Sequence, residues 1–221
     1  MITVYHLNNS RSQRVLWLLE ELELPYEVKR FERAATKRAP EALKAVHPLG
    51  KSPVITDGDI TVAESGAIVA YLIETYGNGR LIPPGPGPER RRYTYWMHYA
   101  EGSAMPPVVM RLIFTNIPKS PQMPFFLRPL ARGMFGGLVN GFLDPQIAAH
   151  IEFWAAELEK SAYFAGDSLT GADIMMSFPL EAAMETPNLP PVLTRYLAGL
   201  HARPAYQRAL ARGGPYSLRQ L

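Results

Sequence analysis

Apolar and polar positions alternate in two rhythms along the first 76 residues. Ile2-Thr3-Val4-Tyr5-His6 predicts a strand, and Val15, Leu18, Leu19 and Leu22 then return at intervals of three and four, the spacing of one helix face. Pro25 stops that helix. From Tyr26 to Phe31 apolar residues alternate with charged ones, which predicts a second strand. A polar, alanine-rich stretch near 36–46 predicts a short helix. Ser52-Pro53-Val54-Ile55-Thr56, the turn Asp57-Gly58-Asp59 and Ile60-Thr61-Val62 predict a hairpin. Glu64-Ser65 then opens a helix carrying Ile68, Tyr71, Leu72 and Ile73. The predicted order, β-α-β-α-β-β-α, is a compact α/β unit.

The rhythm breaks after Tyr76. Residues 77–89, GNGRLIPPGPGPE, hold so much glycine and proline that neither helix nor strand persists, the mark of a domain boundary. Beyond it only helical spacing is found. Residues 89–115 predict one long helix strained near Pro106-Pro107, and 144–161, 171–185, 190–201 and 204–212 predict further helices. Four prolines and several glycines make 118–143 irregular and suit it to a flexible lid. Thr170-Gly171-Ala172-Asp173 has the spacing of a capping box, a structural device rather than a site.

Composition narrows the chemistry. With 47% hydrophobic and 19% charged residues, the chain can bury a sizeable core. Cysteine is absent, which excludes disulfides, thiolate metal ligands and a protein-borne sulfur nucleophile. Any thiol chemistry must use a thiol carried by a ligand. The five histidines, His6, His47, His98, His150 and His201, never fall at zinc-site spacings, so no metal is expected. A net charge of +3 suits small anionic ligands but falls short of the basic face that nucleic acid requires. The run Arg90-Arg91-Arg92 at a helix start fits a solvated or dimer-rim feature. No apolar run approaches the roughly 20 residues that cross a bilayer. The chain opens directly on a strand, so no membrane partner and a cytoplasmic location are expected.

Residues 6–22, HLNNSRSQRVLWLLEEL, pose a sharper question. Helix N-termini usually attract carboxylates, yet here the first turn holds Arg11 and Arg14 and no acid. An external anion seated there would account for it. A serine-capped surface helix with two exposed arginines would account for it equally.

The element order, the Gly/Pro linker and four local stretches resemble the cytosolic glutathione transferases. Those stretches are NNSRSQRV after the first strand, the loop PLGKSPV, the helix start ESGAIVAYL, and GDSLTGADIMMS. PFFLRPL followed by FAGDSLTGADIMMSFPLEAA is most similar to a serine-type branch found in bacteria and fungi. The resemblance implies an α/β thioredoxin-like N-terminal domain over 1–78, a linker over 79–88 and an all-α C-terminal domain over 89–221. It also implies a homodimer that uses glutathione as co-substrate and conjugates its thiolate to small apolar electrophiles in detoxification. Two other activities fit the same fold: a glutathione-dependent peroxidase, or a non-catalytic binding or scaffold protein. The intact Pro53 and Glu64-Ser65 set argues against the scaffold.

Site roles follow from the same resemblance. Pro53 is expected to be cis, with the Ser52 backbone pairing the cysteinyl backbone of glutathione; Ser52 stands where an aliphatic residue is common. Lys51 would reach the glycyl carboxylate and Glu64 the ammonium. Ser65 would cap its helix through its hydroxyl while free N–H groups take a carboxylate. The sulfur would meet Ser10, which keeps a hydroxyl, or else Asn9, which keeps the register; Ser12 falls inside the first turn as a cap. Tyr99, Met110 and Phe114 are expected to line the electrophile pocket, with Phe125 and Phe126 as a cover. A free thiol is only about 3% ionised at pH 7, and lowering its pKa by about two units takes about 2.7 kcal/mol. One hydroxyl bond to the charged sulfur (about 1.5–3 kcal/mol) and a helix N-terminus (up to about 1) together suffice.

Overall fold

A computed structural model describes residues 1–33, 39–184 and 189–218. Its first 76 residues build a four-stranded sheet with strand order β2-β1-β3-β4. Strand β1 (Ile2–Leu7) runs parallel to β2 (Tyr26–Phe31), in register from Ile2 opposite Tyr26 to Leu7 opposite Phe31. β3 (Val54–Asp57) is antiparallel to β1, and β4 (Ile60–Ala63) to β3. The hairpin turns at Gly58, whose φ of 56° is the left-handed conformation that such a tight turn demands. Of the short helix expected over 36–46, Glu41–Ala45 forms a 3-10 turn, and positions 36–38 lie outside the described residues.

Helix α1 (Ser12–Glu21) is buried from Ser12 to Leu19 without a solvent face, because β1 and the helices Ser65–Tyr76, Gly171–Ala183 and Pro204–Gly213 pack around it. Helix α2 is Ser65–Tyr76. Among the described residues the second part of the chain has helices as its regular elements: α3 (Pro88–Tyr99), α4 (Met105–Asn116), α5 (Arg128–Leu138), α6 (Asp144–Leu158), α7 (Gly171–Ala183), α8 (Pro191–His201) and α9 (Pro204–Gly213). This is the expected α/β thioredoxin-like unit followed by an all-α domain. The two parts meet closely. A Cβ on Gly171 would stand 2.6 Å from Ile73 Cδ1 and 3.0 Å from Val69 Cγ1, so a larger residue there would have to push the side chains of α2 aside.

The expected long helix over 89–115 exists as α3 and α4, joined by a π-helical turn at Ala100–Ala104. Pro106 and Pro107 follow at once. Neither has an N–H to give to the preceding turn, and the wider turn accommodates that loss. A second π turn, Val139–Leu143, precedes Pro145 and joins α5 to α6. The irregularity expected over 118–143 is therefore confined to its first ten residues. Pro118, Pro121 and Pro124 fall there, Pro129 occupies a helix first turn where it is tolerated, and the later glycines are carried inside helix. The capping box at Thr170 is present, with Asp173 accepting from the Thr170 backbone at 2.8 Å and its hydroxyl at 2.9 Å.

Candidate functional site

The start of α1, the loop before β3 and the start of α2 converge on one cavity of about 220 Å³. Arg11, His47, Leu49, Lys51, Ser52, Pro53, Val54, Ala63, Glu64, Ser65 and Glu101 line it. Lys51, Ser52, Pro53, Glu64 and Ser65 thus share one wall system, although 12 positions separate Ser52 from Glu64 in order of the chain. The Ser52–Pro53 peptide is cis. Ser52 is fixed by its hydroxyl, which donates to the Tyr5 carbonyl at 2.8 Å and accepts from Leu7 N–H at 3.2 Å.

Glu64 is held at φ 71°, a left-handed conformation that costs a non-glycine residue about 1–3 kcal/mol and persists only where surroundings enforce it. The first backbone bond of α2 runs from Ile68 N–H to the Glu64 carbonyl, so the N–H groups of Ser65, Gly66 and Ala67 stand ahead of the ladder. No side chain caps them among the described residues, and no acid occupies the first turn. Such an end favours an anion. Ser65 does not cap the helix, contrary to expectation. It is the first helical residue, and its hydroxyl accepts from Arg14 Nη2 at 3.1 Å.

The two arginines at the start of α1, Arg11 just ahead of it and Arg14 in its first turn, find their counter-charge within the protein, which corrects the reading that they await an external anion. Glu101, carried into place by the π turn, accepts from Arg11 Nε at 2.9 Å and pairs with Arg14 Nη2. Arg14 also donates to the Met175 carbonyl at 2.7 Å, and both guanidiniums lie over the Phe178 ring, at 5.5 and 5.2 Å. Burial pushes the Glu101 carboxyl up, but Arg14 and then Arg11 outweigh it and hold it below the usual carboxylate range. Glu101 and His47 were not singled out from the sequence. Two first-turn cations without an acid were the available signal for Glu101.

Ser10 is buried, 5% exposed, and neither it nor Asn9 is among the residues lining the cavity, which Arg11 reaches. The Ser10 hydroxyl accepts from Ser12 N–H at 3.2 Å and lies 2.8 Å from Ser12 Oγ. Ser12 does not cap the helix, contrary to expectation: it is the first residue of α1, fully buried, and its hydroxyl takes Leu7 N–H at 3.2 Å and lies 2.8 Å from His6 Nδ1. Asn9, at φ 49°, turns its amide oxygen to Ser217 N–H at 2.8 Å, so the C-terminal segment rests on it. Tyr99 is a core residue rather than a cavity wall. It is buried, its ring packs on Trp96 at 4.9 Å, and its hydroxyl bonds to His150 and receives Trp154 Nε1–H at 3.2 Å. Met110 and Phe114 lie half-buried on α4, away from the residues lining the cavity, and Phe114 packs on Phe135 at 5.4 Å. Phe125 and Phe126 are exposed.

A second cavity, about 300 Å³, lies between α7, α8, α9 and the C-terminal segment. Its carboxylate, Glu181, already accepts from the Tyr206 hydroxyl at 2.8 Å and the Tyr216 hydroxyl at 2.5 Å. The smaller cavity is the stronger candidate because Arg11, Lys51, Glu64 and Glu101 line it together with the uncapped start of α2. No cluster of metal-ligating side chains and no helix long and apolar enough to cross a membrane occurs among the described residues.

Known proteins are similar to this chain in sequence and in fold. Residues 1–74 match the family described as glutathione S-transferase, N-terminal domain. Glutathione S-transferase 3 of Schizosaccharomyces pombe is 37% identical over 184 residues, 83% of this chain and 74% of that protein. A glutathione S-transferase structure from Actinobacillus pleuropneumoniae is similar over 99% of this chain and 94% of its own, with a TM-score of 0.79 and 31% identity. A theta-class enzyme from Xanthomonas axonopodis pv. citri, with glutathione bound, covers 94% of this chain and 96% of its own, with a TM-score of 0.68 and 26% identity.

Proposed function

The chain belongs to the glutathione S-transferase family, and we propose that its transferase chemistry joins the glutathione thiolate to small apolar electrophiles at the cavity between α1, β3 and α2. The observation that carries this reading is the meeting of Lys51, Ser52, Pro53, Glu64 and Ser65 around one opening, beside an uncapped helix end. Glutathione has two carboxylates, one ammonium and a thiol. The α2 N-terminus suits one carboxylate, Lys51 the other, and Glu64 the ammonium, while the Ser52 backbone pairs the peptide.

The sulfur then lies at the start of α1 against Ser10, with Asn9 the second candidate. The thiol proton leaves to solvent, the thiolate attacks an electrophilic carbon, the S–C bond forms and the displaced electron pair leaves with its group. Ionisation alone does little for rate, since nucleophilicity falls as pKa falls: about 25-fold more thiolate yields about threefold in rate. Holding the electrophile beside the sulfur contributes more. We assign glutathione binding to residues 1–78, the linker to 79–88 and the electrophile's side of the cleft to 89–221, where Glu101 already reaches the cavity. A cytoplasmic homodimer engaged in detoxification is part of the same reading.

Ser10→Ala tests it. Turnover with a chromogenic aryl halide should fall about threefold with little change in glutathione affinity. Unchanged turnover would transfer the role to Asn9. Robust peroxide reduction without conjugation would favour the peroxidase, and failure to bind glutathione would remove the assignment altogether.

A further inference from the structure

Behind Ser10 stands a short chain of buried polar groups. Ser12 Oγ is 2.8 Å from Ser10 Oγ and 2.8 Å from His6 Nδ1, and it accepts from Leu7 N–H at 3.2 Å. A hydroxyl has a single hydrogen to give. His6 is neutral: burial and then the charge of Arg30 bring its pKa down to about 4. The ring's other hydrogen bond is to the Gly213 backbone, which favours an N–H on that side and leaves Nδ1 as an acceptor. Ser12 therefore gives its hydrogen to Nδ1. Its alternative acceptor, the Leu7 carbonyl at 3.2 Å, also lies away from Ser10. With that hydrogen committed, the contact between the two serines needs Ser10 as donor.

We propose that His6 and Ser12 are positioning residues that hold the Ser10 hydroxyl turned inward, so a bound thiolate gains that hydrogen only at the expense of one internal hydrogen bond. This rests on the reading of Ser10 as the sulfur's partner. In the inward state Ser10 has no hydrogen left for a ligand, which suits a protonated thiol that supplies its own. Turning outward strands two hydroxyl oxygens 2.8 Å apart with no hydrogen between them, or leaves His6 Nδ1 without its donor. The pair sets how much of Ser10's donor strength reaches the sulfur.

Ser12→Ala releases the constraint without dismantling the helix start. Ser10 Oγ still accepts the residue-12 N–H, and Leu7 N–H keeps Ser52 Oγ at 3.2 Å. The thiol of bound glutathione is titrated by the ultraviolet absorbance of its thiolate in the enzyme–glutathione complex. Ser12→Ala should hold about two- to tenfold more thiolate than wild type at a fixed pH below the midpoint. A merely structural Ser12 would loosen Ser10 and move the titration the opposite way. Ser10→Ala should titrate at higher pH, and the double variant should match Ser10→Ala because nothing is left to hold. Ser12→Thr, which keeps the hydroxyl, should titrate as wild type. Should Ser12→Ala fail to fold, His6→Leu removes the acceptor at the other end and should also raise the thiolate fraction. A Ser12→Ala midpoint at or above wild type, with Ser10→Ala still shifted up, overturns the proposal and spares Ser10. An unshifted Ser10→Ala overturns the reading beneath it.

Discussion

Glutamine in place of Glu101 keeps the side chain's shape and removes its charge, leaving the guanidiniums of Arg11 and Arg14 without their shared counter-charge. Arg14 is 2% exposed as a side chain and Glu101 31%. Breaking a fully buried pair costs about 3–5 kcal/mol, because the surviving charge has no counter-ion. Here Glu101 reaches water, and Arg14 keeps the Met175 carbonyl and the Ser65 hydroxyl, so the expected loss is about 2 kcal/mol. Equilibrium urea unfolding of wild type and Glu101→Gln measures it directly. The pH dependence supplies a second check. The arginines hold the folded-state carboxyl below its ordinary value against the effect of burial. A depressed carboxyl contributes stability above its unfolded-state pKa of about 4.3 and loses it as pH falls through the lower folded value. The gap between the two proteins should therefore be full at neutrality and close below about pH 4. A gap under about 0.5 kcal/mol at neutral pH, or one that widens on acidification, refutes the reasoning.

Two further variants separate binding from scaffolding. Glu64→Gln should weaken glutathione binding about three- to fivefold in calorimetry at low salt, less at high salt, since Glu64 is exposed and its pairing with an ammonium is screened; a salt-independent loss would point to the strained backbone instead of the charge. Asp173→Ala should lower stability by about 3 kcal/mol, because Phe164 N–H, Thr170 N–H, the Thr170 hydroxyl and the Tyr196 hydroxyl all lose an acceptor, while the specific activity of the folded fraction stays unchanged.

The first unit was legible because its signals are local. The alternation of Tyr26–Phe31, the three-and-four spacing from Val15 and the Asp57-Gly58-Asp59 turn each act within a few residues, and each element forms where they place it. The helix over Arg128–Leu138 was hidden by glycines and by a proline that proves harmless at a helix start. The site was legible where chemistry sits in short motifs, as at Lys51-Ser52-Pro53 and Glu64-Ser65. It was illegible where partners meet through the fold. Glu101 lies 87 positions from Arg14, and the role of Ser12 depends on a histidine in the preceding strand. Tyr99 and Glu101 show how finely rotation about a helix matters: two positions apart, one enters the aromatic core and the other faces the cavity.

Helix α1, enclosed on every side, has a bearing on how the molecule can be divided. Tyr206 of α9 meets Trp17 edge-on at 5.3 Å, Arg203 grips Glu21 at 2.6 Å, and Arg208 reaches Glu20 at 2.6 Å. Expressed alone, the sheet-bearing half would present Trp17 and its neighbours to water and clump. The last helix is thus the missing outer skin of the first domain, and the polypeptide has to be complete through residue 213 before its amino-terminal half can settle.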